Sequence, residues 1–401
     1  MKQLFINYKN TFTGLSREVW WLALITLINR AGTMVVPFLS LYLTDDLEFS
    51  LKQVGWIMTC FGAGSVLGTW LGGKLTDKIG YYKVMVSSLF LTGLLFISVQ
   101  YLKTFNAFCI GIFLIMSVAD LFRPAMFVAM SSYSKPENKT RSVTLIRLAI
   151  NLGFSAGPAV GGLIIAHLGY SGLFWVDGVT CILATLLLIK ILNPKKTVVQ
   201  DELKVENSKP VLSNKPFMVL FFAMLVFAVA FFQYFSAMPI YYKDIHFLTE
   251  PEIGLLLGGN GLLIFLLEMP TISWLENKKY NKVSLIIFGS LLTGLSFLVL
   301  NLSTWSGVLI IGMFLMTIGE MIAFPFANSY AMDLSKGENQ GEYMAMYVMS
   351  FSIASVFGFN AGLQTIEAYG FDKTWSAMAI LLVGCILLLF YLKTIKRRNK
   401  I

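Results

Sequence analysis

Twelve apolar runs, each closed by a short polar break, restrict this chain more than any other feature. They lie near 17–43, 52–75, 81–102, 106–131, 140–166, 170–192, 216–242, 252–274, 281–302, 305–333, 339–365 and 372–393. At about 1.5 Å per helical residue, each run covers the ~30 Å of a hydrocarbon core. Inside lipid a backbone must satisfy its own N–H and C=O groups, so each run is read as a helix. With 56% hydrophobic and 13% charged residues in a length of 401, the chain fits no soluble class. The expected fold is an all-α polytopic membrane protein. The first run is about 25 residues long with no small-residue cleavage site behind a short core, so a spanning helix is expected there and not a signal peptide.

The basic residues set the expected orientation. Of the 31 Lys and Arg, most fall in the N-terminus, the even-to-odd loops, the central polar stretch and the C-terminus, whereas Lys52, Lys103, Lys243 and Lys373 fall in the opposite loops. That bias predicts both termini on the cytoplasmic side of a cell membrane. The net charge of +9 is spread over these short breaks and never forms one dense patch, so no nucleic-acid partner is expected. Cys60, Cys109, Cys181 and Cys385 lie within apolar runs without metal-ligand spacing, so neither disulfide nor metal is indicated, and no cofactor is expected.

The chain divides into a segment 1–16, a first six-helix bundle 17–192, a polar linker 193–215, a second bundle 216–393 and a basic tail 394–401. In the first segment Leu4, Phe5, Tyr8, Phe12 and Leu15 share a helical stripe that suits an interfacial helix; a frayed terminus is the alternative. The two bundles echo one another at a register of about 200 residues. Tyr42 to Asp45 returns as Tyr241 to Asp244, Val54-Gly55 as Ile253-Gly254, and Asp77 to Val84 as Glu276 to Val283. Ser134 to Asn138 returns as Ser335 to Asn339, Pro124 as Pro325, Gly157 as Gly358, Gly161 as Gly362, and Gly169-Tyr170 as Gly370-Phe371. Six helices repeated in the same orientation is a parallel-repeat architecture.

Two motifs carry a resemblance. Between spans 2 and 3, Gly73, Leu75, Asp77, Gly80 and Lys83 fit the pattern Gly-x-Leu-x-Asp-Arg-x-Gly-Arg-Arg/Lys, with Lys78 a basic substitute and Tyr81 a departure. In span 5, Gly153, Gly157, Pro158, Gly161 and Gly162 match Gly-x-x-x-Gly-Pro-x-x-Gly-Gly at every fixed position. Glycines four apart share one helix face and admit a neighbouring backbone. The chain thereby resembles the major facilitator superfamily, and within it the twelve-helix drug:proton antiporters. The resemblance implies alternating access between the halves. The glycines of span 8 (Gly254, Gly258, Gly261) are expected against the span 5 face, and Gly358 and Gly362 opposite Gly64 and Gly68. Asp77 is expected to cap or pair near Gly358 to Gln364.

Ionisable groups deep in a span are costly and are functional candidates by default. Here they are Arg30, Asp120, Arg123, Glu268 and Glu320, with Arg147 ranked lower because it can snorkel. Asp120 and Arg123 are three apart, so a pair on one helix face is expected, either structural or coupled to protons. Arg123 also resembles the span 4 arginine of the exporters, although Met126 and Phe127 replace its usual neighbours. With Arg30 at similar depth, Asp120 is the expected coupling carboxyl. Asn29, Thr33, Asn151, Gln233, Tyr234, Asn260, Asn328 and Asn360, mixed with Met and Phe, are the expected cavity lining.

A lining so apolar suits small lipophilic or amphipathic compounds better than sugars. The favoured expectation is a monomeric secondary transporter, taking a small-molecule substrate and protons in a lipid bilayer and working as a proton-coupled exporter. The alternative is a proton-coupled importer of a peptide or sugar, but span 1 lacks the paired acidic residues of peptide symporters. An enzyme is not expected, since no nucleophile–base set, metal cluster or phosphate loop appears.

Overall fold

The computed structural model describes residues 14–32, 34–135, 138–193, 211–278, 280–303, 305–335 and 340–398. The expected interfacial stripe at the N-terminus, most of the linker and Thr33 lie outside the described residues.

Helix α1 runs Arg17–Ala31, resumes as Val35–Leu41 and ends in a π turn at Tyr42–Asp46. Then come α2 (Leu51–Ile79), α3 (Tyr81–Val99) and α4, which is split into Phe105–Ala119 and Phe122–Tyr133. A continuous stretch Lys139–Ile191 contains α5 and α6, parted at Gly169, whose φ of 69° only glycine adopts readily. The second half repeats the plan with α7 (Lys215–Phe231, then Gln233–Asp244), α8 (Glu250–Asn277), α9 (Lys282–Leu300) and α10 (Gly307–Leu334). It ends with α11 (Gln340–Tyr369) and α12 (Phe371–Arg398), parted at Gly370 with φ 81°. Among the described residues eleven helices are long and apolar enough to span a membrane, and one of them is the double span of α5 and α6, so twelve crossings result.

Pro124 breaks α4. Its ring displaces the carbonyl four residues back, that of Asp120, and removes one N–H from the ladder, so the helix stops at Ala119 and restarts at Phe122. Helices end on side-chain caps elsewhere, such as the reciprocal Ser50–Gln53 and Thr249–Glu252 boxes that open α2 and α8.

With twelve crossings, the first described turn of α1 and the last of α12 lie on one face of the bundle, the terminal face; the other is the distal face. Exposed tryptophans fall at two levels. Trp20, Trp70 and Trp274 sit towards the terminal face, and Trp56, Trp175 and Trp305 towards the distal face, as the two girdles of a bilayer require. Lys74 lies over the Trp70 ring at 3.8 Å.

Candidate functional site

The halves meet along two antiparallel seams. On the first, α8 lays its glycines on α5: a Cβ at Gly258 would stand 2.7 Å from the Ser155 carbonyl, and one at Gly261 2.7 Å from the Ser155 Cα. At the distal end a Cβ at Gly162 would stand 2.9 Å from Pro251 Cα and collide with the Glu250 carbonyl. On the second seam, a Cβ at Gly55 of α2 would stand 2.5 Å from Asn360 Oδ1, and one at Gly62 2.8 Å from the Val356 nitrogen of α11. Helix 1 reaches helix 7 as well, with Ser40 Oγ donating to the Ser236 carbonyl at 2.9 Å.

Polar groups close the distal mouth above these seams. Lys243 Nζ of α7 lies 2.5 Å from Asp45 Oδ2 of the first half and 2.6 Å from Glu250 Oε1. Tyr170 donates to Asp45 at 3.2 Å, and the Lys52 N–H donates to Glu367. Exposed pairs of this kind contribute about 0–1 kcal/mol each, so the backbone contact at the glycines carries most of the closure.

Roughly two thirds of the way down the first seam from the distal mouth lies the charged centre. Arg147 Nη2 of α5 is 2.6 Å from Glu268 Oε1 of α8, and Asn151, one turn along α5, donates to Glu268 Oε2 at 2.9 Å. Among the described residues this is the ion pair that joins the halves within the spans, below the distal mouth. The Arg147 side chain is 44% exposed and that of Glu268 10%, so the pair bridges α5 and α8 at the margin of the contact that is closed at Ser155. Towards the terminal face Asp77, Arg123, Phe127 and Asn328 are all exposed.

The other carboxylates are placed differently. Glu320 of α10 is buried and accepts from Asn260 Nδ2 at 2.6 Å, with Thr317 sharing that amide at 2.9 Å, so it belongs wholly to the second half. Asp120 is buried at the α4 break and accepts from Ser65 of α2. Among the described residues no ion pair joins it to Arg123, because the helix is interrupted between them and the three-residue spacing no longer sets one face. Arg30 nevertheless lies close enough to both Asp120 and Arg123 to feel their charges, and its guanidinium sits 5.7 Å over the Phe154 ring.

Three packing expectations are corrected. Gly153 and Gly157 do not face α8. A Cβ at Gly153 would stand 2.5 Å from Arg30 Cβ, one at Gly157 3.2 Å from the Ala31 carbonyl, and one at Gly161 3.1 Å from Met34 Cβ, all on α1. Gly162, Pro158 and Ser155, about a third of a turn round the same helix, take the α8 contact instead. Gly64 and Gly68 pack on Phe113 and Ser117 of α4, while Gly358 and Gly362 pack on Val229 and Gln233 of α7. Finally, Asp77 is exposed in the last turn of α2, and Gly358 to Gln364 lie in the distal part of α11, beside Gly55. Gly55 and Asp77 are roughly 33 Å apart along α2, so that pairing is out of reach. Gly73 has open space around it, Gly80 forms the α2–α3 turn with φ 87°, and Lys83 lies in the first turn of α3.

The polar residues expected to line one cavity divide among several tasks. Asn151 and Asn260 serve carboxylates, as above. Asn29 donates to Cys181 Sγ at 3.9 Å, Gln233 ties α7 to the Gly358 carbonyl of α11 at 2.6 Å, and Asn360 accepts from Gln364 at 2.6 Å. Tyr234 is buried with its hydroxyl unpartnered among the described residues, and Asn328 is exposed. Two charged residues matter more than the sequence implies: Arg147, ranked lower because it can snorkel, pairs with Glu268, and Asp177 of α6, fully buried, is a lone acid in an apolar run, which is itself a signal.

Twelve spanning helices in two repeated halves, packed through glycines along two seams and carrying carboxylates and arginines within the spans, fit a secondary membrane transporter. The chain belongs to the Major Facilitator Superfamily, whose profile matches residues 22–248 and 246–401. That family comprises transporters and not enzymes. The chain is 21% identical over 359 residues to a Na(+), Li(+), K(+)/H(+) antiporter of Planococcus maritimus, covering 81% of this chain and 84% of that protein. It is 24% identical over 345 residues to the quinolone resistance protein NorA of Staphylococcus aureus, covering 85% and 84%. In fold it is similar to a POT family transporter crystallised with 5-aminolevulinic acid, with a TM-score of 0.78, 17% identity and coverage of 96% and 97%.

Proposed function

We propose that this transporter exports small lipophilic or amphipathic compounds in exchange for protons, by alternating access between its two six-helix halves. The observation that carries the reading is the Arg147–Glu268 pair, which binds one half to the other across the α5–α8 seam. With Glu268 ionised, the pair and the Asn151 amide hold the seam together; a proton on Glu268 removes the attraction and lets α5 and α8 part. Asp120 and Glu320 are second candidates, since each is bonded within its own half and so has no direct hold on the rocking motion. The bias of lysine and arginine supports a cytoplasmic terminal face, and with it uptake of substrate from inside the cell. The relatives named as an antiporter and as a quinolone resistance protein support exchange and export.

The test is a screen of lipophilic cations, neutral amphipaths and monovalent metal ions in proteoliposomes with an imposed pH gradient. Net movement of an organic compound coupled to counterflow of protons supports the reading; coupling confined to metal ions, or cotransport of solute and proton, removes it.

Asp77→Ala is expected to slow turnover roughly tenfold, the equivalent of about 1.4 kcal/mol on the barrier, with substrate affinity nearly intact. Asp77 sits in the last turn of α2 at the terminal face, away from the charges within the spans, so it acts on the cycle and not on the substrate. Equilibrium binding and initial rates measured on the same preparation separate the two, and weakened binding with normal turnover would contradict this placement.

A further inference from the structure

Asp177 places a fully buried carboxyl group on α6. Asp177 Oδ1 accepts the Met34 N–H at 3.1 Å and its Oδ2 accepts the Val35 N–H at 2.9 Å, across more than 140 residues of chain. These amides open the second segment of α1, just past the interruption that follows Ala31. Backbone donors freed by such a break have no water to turn to inside a bundle, and a carboxylate that takes two of them replaces the missing turn of helix. Among the described residues Asp177 has no ion-pair partner, and these two amides are what hold it.

The surroundings make this a built cradle. Thr180, one turn on from Asp177, lies against Gly32, where a Cβ would stand 3.1 Å from Thr180 Cβ, and Cys181 accepts from Asn29. On the opposite side Gly153 and Gly157 of α5 admit the backbone of Arg30 and Ala31. The break in α1 is therefore held between α5 and α6, and Arg30 leaves the chain at that point, beside Asp120 and Arg123. The cationic and titratable groups near the cradle are Arg30 and Cys181.

We propose that Asp177 is a positioning residue for transport: by clamping the start of the second α1 segment to α6, it fixes the α1 backbone on which Gly153 and Gly157 of α5 pack, and so the setting of α5, which carries Arg147 to Glu268. The proposal rests on proton coupling at Arg147–Glu268 for its effect on transport, but the clamp itself is independent of that reading. Asp177→Asn keeps the shape and places an amide donor against a backbone donor; Asp177→Glu keeps the carboxylate.

The experiment uses the full chain in lipid nanodiscs. Hydrogen exchange of peptides covering residues 28–41 is compared in wild type, Asp177→Asn and Asp177→Glu, and spin labels on Lys78→Cys and Glu276→Cys report the pH midpoint of opening at the terminal face. Asp177→Asn is expected to speed exchange in that peptide at least about tenfold while the other helices of the first half keep their protection, and to move the pH midpoint, with Asp177→Glu returning both towards wild type. Exchange raised evenly over the whole first half, with an unmoved midpoint, would show a merely structural residue and overturn the proposal. Local exchange with an unmoved midpoint would retain the clamp and overturn its role in coupling. If Asp177→Asn does not fold, Asp177→Glu with wild-type exchange and an unshifted midpoint supports the clamp, and wild-type behaviour of Asp177→Ala overturns it.

Discussion

Gly162→Leu is expected to cut transport at least roughly tenfold in a protein that still folds and inserts. Its Cβ would meet the Glu250 carbonyl and stand 2.9 Å from Pro251 Cα, all backbone atoms of α8 that cannot turn aside as a side chain can. Overpacking costs about 1–3 kcal/mol even where side chains can yield, and here it falls on one state of the cycle, the state sealed at the distal face. The population should shift towards the distally open state by a similar factor. Alkylation of a cysteine placed near the distal mouth measures this, and the variant should be labelled faster than wild type. Gly384→Leu, at a position with no atom within 4 Å, is the matched control and should behave as wild type. Normal labelling in Gly162→Leu would mean that the α5–α8 contact does not seal the mouth. Gly157→Leu is a different experiment, since its Cβ meets the Ala31 carbonyl within the same half at 3.2 Å, and its cost should appear in folding yield.

Glu268→Gln is expected to uncouple the transporter. The amide keeps the size of the side chain and can still face Asn151, but it carries no charge for Arg147 and takes up no proton at any working pH. Movement of substrate down its own gradient, and exchange across the membrane, should persist, while uphill movement driven by a pH gradient should vanish. Asp120→Asn tests the rival directly. If Asp120, bonded to Ser65 and near Arg30, were the coupling group, its variant would lose uphill movement and Glu268→Gln would keep it. The reading from packing predicts the reverse, because among the carboxylates within the spans Glu268 is the one held by the opposite half.

Much of the architecture was legible along the chain. Run length gave the spans, and Gly80, Gly169 and Gly370 fall in the breaks between runs, where the structure has turns of positive φ; the interruption of α4 before Pro124 was not legible, since the run 106–131 reads as one helix. Depth is a matter of counting residues, so Glu268 and Arg147 could each be placed at a level. What counting does not supply is rotational phase. One residue is about 100° of helix, and that step separates Gly161, which faces α1, from Gly162, which faces α8. The polar candidates failed as a set for the same reason. Gln233 and Asn360 point into contacts between neighbouring helices, and Asn29 into α6, though nothing in their spacing distinguishes them from cavity residues. Asp177 was legible by type but its task was not, since the α1 amides it holds are supplied by a break some 140 residues away.

The central claim is that proton movement through Glu268 drives export, and one measurement addresses it most directly. Inside-out proteoliposomes are loaded at acid pH, placed in alkaline buffer, and offered at low concentration the compound that the screen identifies. The account predicts that wild type accumulates the compound against its gradient, that a protonophore collapses the accumulation, and that Glu268→Gln equilibrates the compound without concentrating it. Accumulation by Glu268→Gln at the wild-type level, still abolished by the protonophore, would contradict the account.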